Sequence, residues 1–343
     1  MQNVLCEKGE KMTSLQKLRT DILVIGGGAA GMAAAAGAAA EGARVLLVDE
    51  RPYLGGILPQ CIHRGFGLGT YGRDLTGPEY CEREIRRFSA SGASALYRAR
   101  VTEIRPDRTA VISGPEGLYI CSFDQCVLAA GCREQTVYSL EISGTRPDGV
   151  YTAGEAQEML NLGRCGSAGN GDPQLSKSGN GDPHSTDYGI GSRFVILGSG
   201  DIGQIMARRL TITGRTVIAM AEKNDCLGGM KRNHRECIEA YHIPVILRST
   251  VTQLHGYPRL IAVTLRHLDT AAEEVIPCDT LVTALGLIPE TSLAEPLRRD
   301  GGYPEWLHLC GNAGHVHEIV DGVTAEGLAL GRALGQSPGE VPG

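Results

Sequence analysis

Aromatic side chains are scarce in this chain of 343 residues, which has one Trp and four Phe. Long apolar runs are missing as well. The hydrophobic stretches are strand-length or broken by glycine and charge, and none reaches the roughly 20 residues a helix needs to span a bilayer. Positive charge is in deficit, with 33 Lys and Arg against 39 Asp and Glu, a net charge of -6 and a pI near 5.9. No basic face can be assembled from that balance, so nucleic acid is excluded as an expected partner. The opening stretch, MQNVLCEKGEKMTSLQKLRT, lacks the apolar core of a secretory signal, and the expectation is a cytoplasmic protein without direct membrane insertion. C-x-x-C spacing is also lacking. The 11 cysteines are odd in number and scattered, which points to reduced thiols acting mostly as small buried apolar groups.

Glycine is plentiful instead, at 47 residues, and its placement is informative. From Asp21 to Asp49 the chain reads DILVIGGGAAGMAAAAGAAAEGARVLLVD. An apolar strand over Ile22 to Ile25 runs into Gly26, Gly28 and Gly31 in G-x-G-x-x-G spacing. An alanine-rich helix follows, then a second strand, Val45 to Val48, ending on Asp49. Gly26 allows a tight turn, Gly28 lets the backbone approach a pyrophosphate, and Gly31 lets helix and strand pack closely. The N–H groups at the helix start suit an anion, and an acid about 20 residues on suits a ribose. The theme returns at Arg193 (RFVILGSGDIGQIMARRLTITGRTVIAMAE) with Gly198, Gly200, Gly203 and a terminal Glu222. Two such fingerprints in one chain are far more specific than one. An acid at Glu222 repels a 2′-phosphate and favours NAD over NADP, with the adjacent Lys223 pulling the other way.

Between these anchors, Glu79 to Phe88 reads as a helix, and Tyr97 to Ile104 and Thr109 to Ile112 as strands of a small meander. Gln125 to Gly131 is a buried strand ending at glycine. Glu155 to Leu162 and Glu236 to Ala240 read as helices, and strands are expected near Val245 and Ile261 to Leu265. The stretch from Cys165 to Thr186 holds a near-tandem repeat, AGNGDP and SGNGDP, too rich in Gly, Asn, Asp and Pro to support a core. The expected organisation is an α/β fold with two Rossmann-like dinucleotide-binding domains. An N-terminal tail covers 1–20, one domain covers 21–152 plus 287–343, and the other covers 153–286 with a surface insertion over 165–186.

Two dinucleotide folds in tandem, each followed by a strand ending in A-x-G (Ala129 to Gly131, Ala284 to Gly286), and a C-terminal LCGN (Leu309 to Asn312) resemble the two-dinucleotide-binding-domain flavoproteins of the pyridine nucleotide-disulfide oxidoreductase superfamily. More narrowly, LGGILPQCIHRGFGLGTYGRDLTGPEY, LAAGCREQT, ILGSGDIGQIMARRLT and GNAGHVHEIVD look like the bacterial flavoprotein that accompanies glycerol-3-phosphate-dehydrogenase-like enzymes. More distantly the chain is similar to flavoprotein subunits of amino-acid and opine dehydrogenases. The resemblance implies a thioredoxin-reductase-like size without the roughly hundred-residue C-terminal dimerisation domain of the larger reductases. It implies FAD at Gly26, Gly28, Ala30, Gly31, Asp49, Glu50, Gly56, Ala130, Gly131, Gly311 and Asn312, and NAD at Gly198, Gly200, Asp201, Ile202, Gly203, Glu222 and Gly286. Asn312 stands where the family usually has an acid.

Disulfide reductases carry a C-x4-C redox pair soon after the Gly-Gly. Here Leu58 and His63 occupy the two slots and Cys61 falls out of register, so no dithiol relay is expected. Cys61 and His63 still sit where the family places residues beside the flavin, as a reactive thiol or an acid/base group. Their bland alternatives are packing and turn capping. His315 and His317, two apart and facing opposite ways if extended, give no metal site without further ligands. The function expected first is a hydride-transferring flavoprotein subunit served by a partner dehydrogenase subunit. Behind it stand a stand-alone NADH-dependent reductase of oxygen, peroxide or a small thiol compound using Cys61, and a non-catalytic scaffold.

Overall fold

The computed structural model describes residues 15–163 and 189–336; the expected repeat-bearing insertion lies outside them. The chain forms two compact units, Met1–Cys132 with Pro289–Gly343, and Arg133–Ile288. Among the described residues no helix is long and apolar enough to cross a membrane.

The first unit opens with β1 (Gln16–Arg19), β2 (Ile22–Ile25), α1 (Ala29–Ala40) and β3 (Val45–Val48). It continues through α2 (Gly77–Ala90), β4 (Ser94–Leu96), β5 (Arg100–Ile104), β6 (Thr109–Gly114), β7 (Gly117–Ser122) and β8 (Gln125–Leu128). The second unit contains β9 (Val150–Thr152), α3 (Ala153–Leu162), β10 (Arg193–Leu197), α4 (Asp201–Ile212), β11 (Thr216–Ala221) and β12 (Val245–Ile246). It adds β13 (Ser249–His255), β14 (Ala262–His267), β15 (Glu273–Pro277) and β16 (Thr280–Thr283). The chain then returns to the first unit with β17 (Leu307–Leu309) and α5 (Val320–Gln336).

Each unit is built on a five-stranded parallel sheet, in the order β17-β8-β2-β3-β4 in the first and β9-β16-β10-β11-β12 in the second. Parallel strands buried on both faces read as unbroken apolar runs, and β2, ILVI, is buried at every position. Each unit also carries a small sheet with an antiparallel meander, β7-β6-β5 and β13-β14-β15.

Helix α1 explains the alanine run. Ala29 through Ala38 are all buried, so the helix has no polar face to offer water. Its small side chains admit α5 at very short range. A Cβ added at Gly327, Gly331 or Gly335 would lie 2.4, 2.1 or 2.7 Å from the carbonyl oxygens of Ala30, Ala34 and Ala38. Glycine every fourth residue on α5 thus meets alanine every fourth residue on α1.

Two helices are capped by their own side chains. Thr76 with Glu79, and Thr152 with Glu155, form reciprocal capping boxes at the starts of α2 and α3, which satisfy N–H groups the helix cannot. The glycine-headed helices α1 and α4 have no side-chain cap. That contrast positions the candidate site.

Three sequence expectations need correction. Residues 16–19 are a strand, pairing in parallel with β7, so 1–20 is not wholly a tail. The chain crosses between units at 132/133 and 288/289, rather than at 152/153 and 286/287. The reason is apolar: Val137 is buried in the second unit's core, with Leu140, Ile142 and Val150 packed against it. Finally, the helix expected over Glu236 to Ala240 is present but lies slightly earlier, as a π-helix over His234–Glu239.

Candidate functional site

In the first unit, β2 delivers the chain into a turn that only glycine can make. Gly26 has φ +103°, and a Cβ there would lie 2.4 Å from the Ala129 carbonyl oxygen. A Cβ on Gly31 would lie 1.8 Å from the Gly26 oxygen, so helix and strand can approach only without side chains at these points. Gly28 is the opposite case, for a Cβ there meets nothing within 4 Å. The start of α1 is therefore open as well as uncapped, and its free N–H groups and helix dipole favour an anion.

Asp49 buttresses this turn. Its Oδ2 accepts the Gly27 N–H at 2.5 Å and its Oδ1 the Arg51 N–H at 2.7 Å. Burial, the largest influence on it, pushes its pKa up against the pull of those two amides. Gly55 donates its N–H to the Gly27 oxygen at 2.8 Å, and a Cβ on Gly56 would come 3.1 Å from the Gly28 Cα. Arg51 Nη1 donates to the Gly56 oxygen at 2.8 Å. The Leu54-Gly55-Gly56 loop is thereby fastened across the glycine turn. Gly311 (φ +61°) closes another side, since a Cβ there would sit 2.7 Å from that of Ala30. Ala130 abuts Gly26, and the Gly131 oxygen accepts the Glu290 N–H at 3.0 Å. The fold thus gathers Gly26, Gly28, Ala30, Gly31, Asp49, Gly56, Ala130 and Gly311 around one helix start. Glu50 instead turns to the surface, 3.3 Å from Arg100.

The second unit repeats the arrangement. Gly198 has φ +100°, and a Cβ there would lie 2.3 Å from the Ala284 oxygen. A Cβ on Gly203 would lie 2.5 Å from the Gly198 oxygen, and one on Gly200 meets nothing within 4 Å. Glu222 Oε2 accepts from the Ser199 N–H at 3.0 Å and hydroxyl at 2.6 Å, and Oε1 from the Asn224 N–H at 2.9 Å and amide at 2.8 Å. Burial alone would raise its pKa, but these bonds outweigh that effect and hold it below the usual carboxylate range. Asp201 stands in the first turn of α4, where an acid would oppose an anion. Its Oδ1 is tied by the Met230 N–H and the Asn233 amide, each at 2.7 Å. Ile202 packs against the second unit's core, and the Gly286 oxygen accepts the Gln135 N–H at 3.0 Å.

One element of this second cradle is missed by motif reading alone. Leu227-Gly228-Gly229 follows Glu222 at the same spacing that Leu54-Gly55-Gly56 follows Asp49. The Gly228 N–H donates to Ser199 Oγ at 2.9 Å, and Gln204 Nε2 donates to the Ser199 and Gly228 oxygens at 2.7 and 2.6 Å. The shared acid-x4-L-G-G pattern is the signal that could have found it.

A family model described as pyridine nucleotide-disulphide oxidoreductase matches residues 20–304, which include both glycine turns and the acids behind them. The chain belongs to that family. Its members bind FAD and NAD(P)H, and two open, uncapped helix starts, each with a glycine-only turn and an acid behind it, fit two such nucleotides. Relatives include the hydrogen cyanide synthase protein HcnB of Pseudomonas protegens, 25% identical over 340 residues, covering 87% of this chain and 65% of that protein. Thioredoxin reductase of Treponema pallidum is 23% identical over 287 residues, 82% of each chain. An opine oxidase subunit of Agrobacterium tumefaciens is 26% identical over 301 residues, covering 80% of this chain and 54% of that protein. The chain thus spans about two thirds of the first and half of the last. Among solved structures, T. acidophilum thioredoxin reductase has the same fold, with a TM-score of 0.70 at 18% identity over 93% of this chain and 97% of that one.

This pyridine nucleotide-disulphide oxidoreductase places its other candidates less simply. Cys61 is buried, its thiol donates to the Ile57 oxygen at 3.4 Å, and burial pushes its pKa up to about 12. Such a thiol stays protonated at neutral pH, contrary to a reactive thiolate. His63 is half-buried beside Phe66, with ring centroids 5.1 Å apart, and its Nδ1 lies 2.9 Å from the Arg64 oxygen. Asn312, expected to reach the cofactor, accepts the His317 N–H on Oδ1 at 3.0 Å and approaches Cys132 Sγ at 3.7 Å. His315 and His317 do not diverge as an extended chain would require. Their ring centroids lie 4.1 Å apart.

Proposed function

We propose that this protein exchanges a hydride between NAD(H) and FAD as the electron-transfer flavoprotein subunit of a larger dehydrogenase complex, acting on a glycerol-3-phosphate-, amino-acid- or opine-like substrate held by a partner chain. The duplicated cradle carries the proposal. It supports two nucleotides on one chain and requires no protein nucleophile between them. The bound cofactors supply the hydride chemistry. The chain's own part is to hold two pyrophosphates at the open starts of α1 and α4 and to present Asp49 and Glu222 toward the riboses. An ionised Glu222, kept so by Ser199 and Asn224, supports NAD over NADP because it opposes a 2′-phosphate. Two relatives, HcnB and the opine oxidase chain, are by name subunits of larger enzymes, which supports a partner.

The second reading, a stand-alone reductase working through Cys61, is favoured by the thioredoxin reductase relative that matches over most of both chains. Cys61→Ser separates the two. Burial holds the thiol protonated, so the slow NADH oxidation expected of the isolated chain with oxygen, peroxide or an oxidised small thiol compound should stay within about twofold of the parent. Loss of activity in a variant that keeps its flavin and its fold would replace the subunit reading with the thiol reading.

A further inference from the structure

We propose that His315, His317 and Glu326 form a site for a divalent first-row transition ion of the Zn2+ type. One ligand atom from each residue lies within 4.8 Å of the others, the one such group among the described residues. His317 Nε2 is already 2.5 Å from Glu326 Oε2, and the two imidazole rings lie with centroids 4.1 Å apart at a tilt of 42°. Donors in a tetrahedral zinc shell lie about 3.3 Å apart, given bonds of about 2.0–2.1 Å. Two of the three groups therefore need only slight separation, and the exposed His315 ring needs a short swing inward.

The partners are held in place by a second layer of contacts, as metal ligands generally are. Glu326 Oε1 accepts the Gly311 N–H at 3.0 Å, and Asn312 Oδ1 accepts the His317 N–H at 3.0 Å. Gly322 leaves the room that His317 occupies, since a Cβ there would lie 3.0 Å from Nδ1 of the ring. Glu326 comes from α5, whereas both histidines come from the loop that precedes it. An ion would therefore clasp that loop to the helix. It would also share Glu326 with Gly311, which lies against the start of α1. Two imidazoles and one carboxylate suit Zn2+, Co2+ or Ni2+, whereas Mg2+ and Ca2+ prefer all-oxygen shells. Three protein ligands leave a coordination position open on the exposed side.

The test uses the flavin-loaded protein, tag removed and stripped of metal by chelator dialysis. Zn2+ is titrated by calorimetry, and Co2+ by the visible bands of a low-symmetry nitrogen and oxygen shell. One ion per chain is expected, with affinity falling at least about tenfold in His315→Ala and in Glu326→Gln. Flavin content of His315→Ala should equal that of the parent, because His315 is exposed and lies outside the glycine cradle. A parent that binds no stoichiometric ion would overturn the proposal, leaving His317 and Glu326 as an ordinary hydrogen-bonded pair. So would a His315→Ala protein that binds as tightly as the parent.

Discussion

Gly28→Asp is expected to give a protein that folds as firmly as the parent without cofactors and yet purifies without flavin. Gly28 is the N-cap of α1 with φ -76°, a conformation any residue adopts. A Cβ there points into empty space, so no strain opposes the change. Aspartate at an N-cap accepts the free amides of the first turn, which stabilises a helix by roughly a few tenths of a kcal/mol over glycine. The helix dipole adds about 0.3–1 kcal/mol for a negative group there. That same carboxylate occupies the amides that a pyrophosphate needs and repels its charge. Flavin affinity should drop by about 100-fold or more, equivalent to roughly 3 kcal/mol. The flavin-to-protein ratio reads the loss, and thermal unfolding of both proteins stripped of flavin reads the fold. Retention of flavin at the parental ratio would show that the start of α1 is not the phosphate cradle.

The same substitution in the second unit has a different consequence. Gly200 caps α4 with φ -61° and is equally open, so Gly200→Asp should also fold. Its flavin content is expected to match the parent. NADH should reduce that flavin only at concentrations raised by about 100-fold, since the lost contacts are again worth roughly 3 kcal/mol. Anaerobic stopped-flow reduction at several NADH concentrations measures this directly. An unchanged saturation curve would place NADH elsewhere, whereas loss of flavin as well would mean that the two cradles are not separate sites.

Most of this architecture is legible in the sequence because its constraints are local. A glycine turn, an apolar strand on each side and a terminal acid all lie within about 30 consecutive residues, the length of a βαβ unit. The capping boxes at Thr76 and Thr152 likewise involve neighbours three apart. What stays hidden depends on distant partners. Gln16–Arg19 is a strand because it pairs with Tyr119 to Ser122, a contact that nothing in the polar segment QKLR announces. Residues 133–149 join the second unit because Val137 finds its core, which sequence proximity to Gly131 obscures. The histidine pair is hidden for a related reason. An extended chain would send His315 and His317 apart, whereas the bend at His315 brings their rings together. Asn312 carries a further contact that its motif does not announce, since its oxygen accepts the His317 backbone N–H.

Anaerobic titration of the purified yellow protein with NADH tests the central claim most directly. If a hydride passes between nicotinamide and flavin with no thiol relay, one equivalent of NADH per FAD bleaches the flavin completely, because one hydride carries the two electrons that the ring accepts. A titration that consumes a second equivalent per flavin would reveal a redox disulfide in the path and contradict the account, as would a colourless protein to which FAD cannot be restored.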